Sequence, residues 1–381
     1  MIVIERFRLR CSSSQSTSFA IPVVCHQTYS IQSRMSIVEA KADPVVPVNE
    51  RVTAISEGAN KGTMSAGPGK DTALGRLASE MGNLLESVGH NEVYGVELTP
   101  WQQGYAYAIQ IILQKFLRAN AGDAVKAAEQ LEAALEWRKE FQPLKTVDEV
   151  FDKSRFEGLG YITELKGVPG STNSSDMGVF NIYGAVKDNK TTFGDLDGFI
   201  RWRVALMEMT LAALHLDEAK TPLPDYGKGP DPYQAVQVHD YLSVSFLRQP
   251  PEVKAASSKT IQLFQQVYPE TMAKKFFVNV PIYMQWMFAA MQLFMAKETV
   301  AKMKWMSYGS ELHKDLGSDV PKPYGGTGPD LVAAGRTPKY GEPTTTAVTA
   351  PTKTVSPGAV EGTTPTPALA TSAEKNTEEG I

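Results

Sequence analysis

KFFVNVP, residues 275–281, is a short, almost wholly apolar run closed by a proline. It reads as a strand, and one lacking apolar/polar alternation is expected where both faces are covered. Its neighbours fit that setting. SKTIQLFQQVY (258–268) reads as a helix stopped by Pro269, and YMQWMFAAMQLFMAKETV (283–300) as another helix. KMKWMSYG (302–309) returns to a strand. Upstream, VFNIYGAV (179–186) reads as a strand, FGDLDGFIRWRVALMEMTLAALHL (193–216) as a long helix and QVHDYLSVSF (237–246) as a strand. Strands alternating with helices predict an α/β fold whose mostly parallel sheet is joined by helical crossovers. No internal repeat is visible.

Further upstream the pattern is helical. GYAYAIQIILQKFLRA (104–119) has apolar residues at helical spacing. Gly122 and Asp123 break and restart the helix, with Asp123 placed as an N-cap for AVKAAEQLEAALEWRKEF (124–141), which Pro143 ends. Residues 35–75 are rich in Pro, Gly, Ala, Ser and charge without periodicity, and residues 341–381 hold eleven Thr, five Pro and no aromatic residue. Such segments cannot bury enough surface to fold. The expected organisation is therefore a disordered region over 1–75, a helical lobe over 76–150, a sheet lobe over 151–330 and a disordered tail over 331–381. The first 34 residues carry Arg6, Arg8, Arg10, Arg34 and seven serines against one acid. They fit either a transit-like leader or an upstream start, with Met35 as the true first residue.

The chain has 381 residues, 42% of them hydrophobic, and a net charge of −4. No basic run points to nucleic acid. The two cysteines, Cys11 and Cys25, lie outside the expected core, which excludes a disulfide framework, a Cys-based metal site or a thiol nucleophile there and suits a reducing cytosol. No run reaches the roughly 18–20 apolar residues of a membrane span. A nucleophile elbow, a zincin helix motif and a Walker A loop are all missing. GGTGPD (325–330) has no strand–helix setting and reads as a loop.

Two stretches resist a plain structural reading. In QVHDYLSVSF, side-chain alternation puts Val238, Leu242, Val244 and Phe246 on one side. Gln237, His239, Tyr241, Ser243 and Ser245 fall on the other. An imidazole and a phenol one repeat apart either face water or line a cavity. Of the five histidines, His215 ends a helix and His313 sits among charges. His239 is the one in a strand expected to face inward. The segment 283–296 is apolar nearly all round, with only Gln285 and Gln292 clearly polar. It is too short to span a bilayer, and it suits either a central core helix or a surface that meets lipid.

KFLRA (115–119), EWRKEF (136–141), YPETMAKKFFVNVP (268–281), the apolar segment, TVAKMKWMSYGSEL (299–312) and YGG (324–326) together resemble the CRAL-TRIO, or Sec-fourteen-like, lipid-transfer proteins, in the family's order over roughly 90–328. FNIYGAVKDNKTTF, the HDY triplet and RWRVALME are similar to the fungal phosphatidylinositol-transfer branch that also binds haem. The resemblance implies a helical N-terminal lobe, a sheet-floored lobe with a deep apolar pocket, and a gate helix at 283–296. It implies a non-enzymatic carrier that exchanges phosphatidylinositol with a membrane surface. Glu270 and Lys302 would meet the headgroup, where a carboxylate accepts inositol hydroxyls and a lysine offsets phosphate.

It further implies haem b. Tyr241 would be the axial ligand to ferric iron, with His239 beside it as hydrogen-bond partner or second donor. Arg203 and Lys275 would meet the propionates, and Tyr183 would stack or hydrogen-bond. Where a relative in this branch has a further tyrosine, this chain has Asn120. The setting implied is the cytoplasm, with peripheral contact to endoplasmic reticulum or microsomal membranes, roles in phosphoinositide homeostasis and oxidative stress, and a phosphoinositide kinase as partner. Two alternatives stand beside this: a haem-dependent peroxidase- or catalase-like enzyme, and a scaffold that presents lipid without net transfer.

Overall fold

The computed structural model describes residues 64–65, 69–100, 105–245, 249–284 and 300–342. The helical lobe comprises α1 (Ala73–Val88), α2 (Tyr107–Ala119) and α3 (Ala124–Phe141). Local chemistry sets their ends. The Thr72 hydroxyl accepts from Gly75 N, and the Asp123 carboxylate accepts from Val125 N and Lys126 N, each satisfying otherwise orphaned amides of a first turn. Gly89, left-handed at φ 66°, closes α1. Ordered structure thus precedes the expected boundary at 76, since α1 begins at Ala73 and Met64–Ser65 pair antiparallel with Tyr105–Ala106.

Among the described residues seven strands follow: β1 (Val150–Asp152), β2 (Gly160–Lys166), β3 (Ser175–Ile182), β4 (Ala235–Asp240), β5 (Met272–Val278), β6 (Met303–Trp305) and β7 (Lys339–Gly341). The main sheet has the order β6-β5-β4-β3-β2, parallel except for the antiparallel β2–β3 edge. Helix α4 (Leu196–Ala213) crosses from β3 to β4, and α5 (Pro251–Val267) from β4 to β5. The expected mostly parallel α/β architecture is thereby present.

Strand register divides the sheet into two unlike faces. Phe180, Val236, Val238, Phe276 and Val278 pack under the C-terminal segment through Met306, Leu312, Leu316, Val320 and Tyr324. On the opposite face Ile162, Met177 and Val179 meet Leu206, Met209 and Ala213 of α4. The rest of that second face belongs to the site described below.

Several elements depart from the sequence reading. KFFVNVP is not covered equally on both sides: Phe276 and Val278 are buried, whereas Lys275 and Phe277 are half-buried. The strand stops at Val278, because Asn279 turns left-handed at φ 59°. QVHDYLSVSF leaves the sheet after Asp240. That buried carboxylate accepts from Leu242 N (2.9 Å), Asn279 Nδ2 (2.7 Å) and Tyr324 Oη (2.9 Å), so its side chain ends the ladder by building a turn. Ser243 follows at φ 67°, and Leu242, placed on an apolar face by strict alternation, is 60% exposed. VFNIYGAV gives way to a 3₁₀ turn at Tyr183–Ala185. The long helix is interrupted at Asp195, whose carboxylate caps α4 through Gly198 N.

The tail boundary also moves. Residues 331–342 fold: Leu331 is buried, Arg336 and Ile162 exchange backbone hydrogen bonds of 2.8 Å, and β7 pairs in parallel with β1. Trp202 Nε1 donates to Tyr340 Oη at 3.2 Å. The aromatic and aliphatic residues of this stretch supply what the Thr/Pro run after it lacks. Of the segment 283–296, Tyr283 and Met284 close a 3₁₀ turn (Ile282–Met284), and residues 285–299 lie outside the described residues. No described helix is long and apolar enough to cross a membrane.

Candidate functional site

One row of paired residues crosses the second sheet face: Asn181, His239, Phe277 and Trp305, on β3 to β6 in turn. The neighbouring row pairs Gln237 with Lys275 and Met303. Parallel pairing therefore turns residues scattered over more than 120 positions into one floor. The His239 ring lies 5.6 Å from Phe277, and Phe277 stacks on Trp305 at 5.2 Å within 5° of parallel.

Tyr183 and Tyr241 join this floor from the loops at the strand ends. Gly184 makes their approach possible: a Cβ there would sit 2.0 Å from the Leu242 carbonyl oxygen. With the two backbones in contact, the Tyr183 ring lies 5.4 Å from both Tyr241 and His239. The H-x-Y pair thus shares a site although Tyr241 is outside the strand.

Arg203 enters from α4. One guanidinium N–H donates to Asn181 Oδ1, and the group lies 5.6 Å from the Phe264 ring and 5.7 Å from the Trp202 ring. Its Nε is buried and has no partner among the described residues. The Lys275 ammonium sits 5.4 Å from the Phe277 ring. The five residues Tyr183, Arg203, His239, Tyr241 and Lys275 are thereby brought together.

The site's electrostatics are unbalanced. Burial pulls the Lys275 ammonium down to about 8, and Arg203 adds to that. Burial also lowers Arg203, against the pull of Tyr183 and Tyr241. His239 is held well below the ordinary imidazole range by burial, then by Lys275 and Arg203, so it is neutral at pH 7. Its Nε2 lies 3.3 Å from Gln237 Oε1. Burial pushes the Tyr241 phenol well up, with Tyr183 adding and Arg203 opposing. Among the described residues no carboxylate acts on Lys275 or Arg203. Two cations in an aromatic, partly desolvated site favour an anionic, flat, largely apolar guest.

Glu270 and Lys302 are also together, as an ion pair of 2.9 Å with side chains 20% and 29% exposed. They adjoin the aromatic floor, since the Lys302 carbonyl accepts from Lys275 N at 2.7 Å. Asn120 stays in the helical lobe, where its amide donates to Phe116 O and Gln130 Oε1. Sequence reasoning missed Asn181, Phe277 and Trp305. Their signal was the shared period-2 face, readable once the strand register was fixed.

The chain matches the model of the CRAL/TRIO domain over residues 169–326, which include all seven of these site residues. It is 55% identical over 261 residues to the phosphatidylinositol transfer protein SFH5 of Phaeosphaeria nodorum, covering 68% of this chain and 78% of that relative. The chain belongs to the SFH5 family of CRAL/TRIO proteins. A second SFH5-family member, sfh5 of Sclerotinia sclerotiorum, is 46% identical over 271 residues, covering 70% of this chain and 64% of that relative. The crystal structure of Sfh5 superposes with a TM-score of 0.58 at 26% identity, covering 70% of this chain and 92% of that one. In this SFH5-family chain the residues that carried the CRAL-TRIO resemblance also tie the lobes together. Lys115 and Arg118 of KFLRA and Arg138 of EWRKEF donate across to the sheet lobe, and Tyr268 of YPE donates to Glu208, the carboxylate that Arg138 reaches.

Proposed function

We propose that this SFH5-family protein is a non-enzymatic carrier that binds phosphatidylinositol and exchanges it with membranes. The observation that carries the reading is the Glu270–Lys302 pair beside an aromatic floor. It offers a carboxylate for hydroxyls and an ammonium for phosphate, next to aromatic side chains on which acyl chains would pack. The names of the relatives support the lipid. Each buried acyl methylene contributes about 0.8 kcal/mol, so affinity needs no covalent chemistry. On this reading the protein works in the cytoplasm, touches endoplasmic reticulum membranes transiently and supplies lipid to a phosphoinositide kinase. Vesicle-to-vesicle transfer tests it. Glu270→Ala lowers the phosphatidylinositol transfer rate about tenfold, a loss of the size expected for one charge-assisted contact. An unchanged rate removes the headgroup assignment, and binding without transfer favours a presenting scaffold.

The cationic aromatic cluster supports a second ligand, haem b. The residues fit it: Arg203 has an orphaned buried Nε, and Arg203 and Lys275 lack carboxylate partners among the described residues. Tyr241 would hold the iron, His239 would stand beside it, Arg203 and Lys275 would take the propionates, and Tyr183 would pack on the group. Haem supplies a redox-active ferric iron when bound. Tyr241 must release its phenolic proton to serve as a ligand, and Arg203 favours that release. In protein from cells fed haem precursor, the wild type should show a Soret band that Tyr241→Phe loses or shifts. A colourless wild type overturns this part. Sustained peroxide turnover would move the reading to an enzyme.

A further inference from the structure

We propose that Gln234 is a positioning residue for headgroup recognition, aiming the Glu270 carboxylate from a platform fixed by the buried Lys115–Asp231 pair. The proposal rests on the phosphatidylinositol reading above and deepens it. Glu270 adopts a left-handed backbone, φ 53°, that a side chain with a Cβ disfavours. Such a conformation persists only where the surroundings over-determine it.

Those surroundings are specific. Lys115, fully buried on α2, spends its three donors on Asp231 Oδ2 (2.6 Å), Tyr233 O (2.8 Å) and Glu270 O (2.8 Å). A helix of the N-terminal lobe therefore grips the main chain of the headgroup residue. Gln234, 8% exposed and just ahead of β4, then reaches the same residue twice. Its Nε2 donates to Glu270 O and to Glu270 Oε2, each at 3.1 Å. A single amide nitrogen thus bridges backbone and carboxylate and fixes the rotamer between them.

The consequence is a division of labour within one carboxylate. Oε2 takes Gln234 and Lys302 together. Oε1 takes no donor from the described residues and is left to accept hydroxyls of a polyol headgroup. Without Gln234, Lys302 alone would orient the carboxylate, and either oxygen could turn to it. Gln234 is then a determinant of preference for inositol over a headgroup that lacks hydroxyls.

The test uses the full chain and donor vesicles containing phosphatidylinositol and phosphatidylcholine. Gln234→Leu and Gln234→Met should each raise the half-saturating phosphatidylinositol content about 5–20-fold and lower the inositol-to-choline ratio of captured lipid. The melting temperature should stay within a few degrees, because both side chains approximate the volume of glutamine. In a Glu270→Ala background, Gln234→Leu should add no further loss, since coupled residues are non-additive. Multiplicative losses in the double variant, an unchanged ratio, or losses that track a fall in melting temperature in both variants would each overturn the role of Gln234. If Glu270→Ala is itself silent, the headgroup reading fails, and Gln234's role fails with it by a separate route.

Discussion

Lys275 shows how far a single residue can be placed against its own stability. An ammonium beside Phe277 and near Arg203 has lost hydration without gaining a carboxylate among the described residues, and its proton affinity falls to about 8. In the unfolded chain the same group titrates near 10.4. Between those values the unfolded state holds a proton that the folded state has released, so stability rises with pH from about 8 to about 10.4. Below 8 the full cost of the buried charge is present. Lys275→Met should therefore stabilise the ligand-free protein at pH 7 by about 1–2 kcal/mol, and the gain should shrink above pH 8. Urea unfolding at pH 7 and pH 9.5 checks both statements, and a variant less stable than wild type at pH 7 would refute them. The resemblance marks Lys275 as a pocket cation, but its place after Lys274 does not show which of the two lysines turns inward. Only the register with Gln237 turns it inward.

At the scale of elements, what was legible depended on whether local chemistry or partner strands set the boundary. Helix α3 was readable because Asp123 carries its own cap, and both its bonds run to the next three residues. The alternation of strands and helices was readable for the same reason, since period and punctuation are local. QVHDYLSVSF was not. Asp240 ends the strand through Asn279 and Tyr324, 39 and 84 residues away, and no window centred on the strand contains them. Alternation still placed His239 and Tyr241 together, but for the wrong reason. Tyr241 reaches the site through a turn that Gly184 permits, not through the pleat. The pairing of Glu270 with Lys302 came from resemblance alone, because 32 residues separate them.

For the whole molecule, the lobes are joined by charge as well as by apolar packing. Arg138 of α3, fully buried, donates to Glu92 (2.7 and 2.9 Å) and to Glu208 of α4 (2.8 and 3.2 Å), while the Tyr268 hydroxyl donates to Glu208 at 2.6 Å. Removing one member strands buried carboxylates, so Arg138→Met should destabilise the fold by about 3–5 kcal/mol. Burial alone would raise the Glu92 carboxyl, but Arg138, the His90 side chain and the Gly95 amide outweigh it and hold it at about 2. Its contribution is full above the unfolded carboxyl value and disappears as pH falls from about 4.5 toward 2. The variant should lose that acid-sensitive component, as unfolding at pH 6 and pH 3 would show. An Arg138→Met protein with wild-type stability would disprove the lobe clamp. The strand at Lys339–Gly341 has another consequence. The CRAL/TRIO match ends at residue 326, yet β7 completes a sheet with β1, and Tyr340 accepts a bond from Trp202 on α4. The span of the domain model is thus shorter than the unit that folds, and a fragment cut at residue 326 would leave the Trp202 indole N–H without its acceptor.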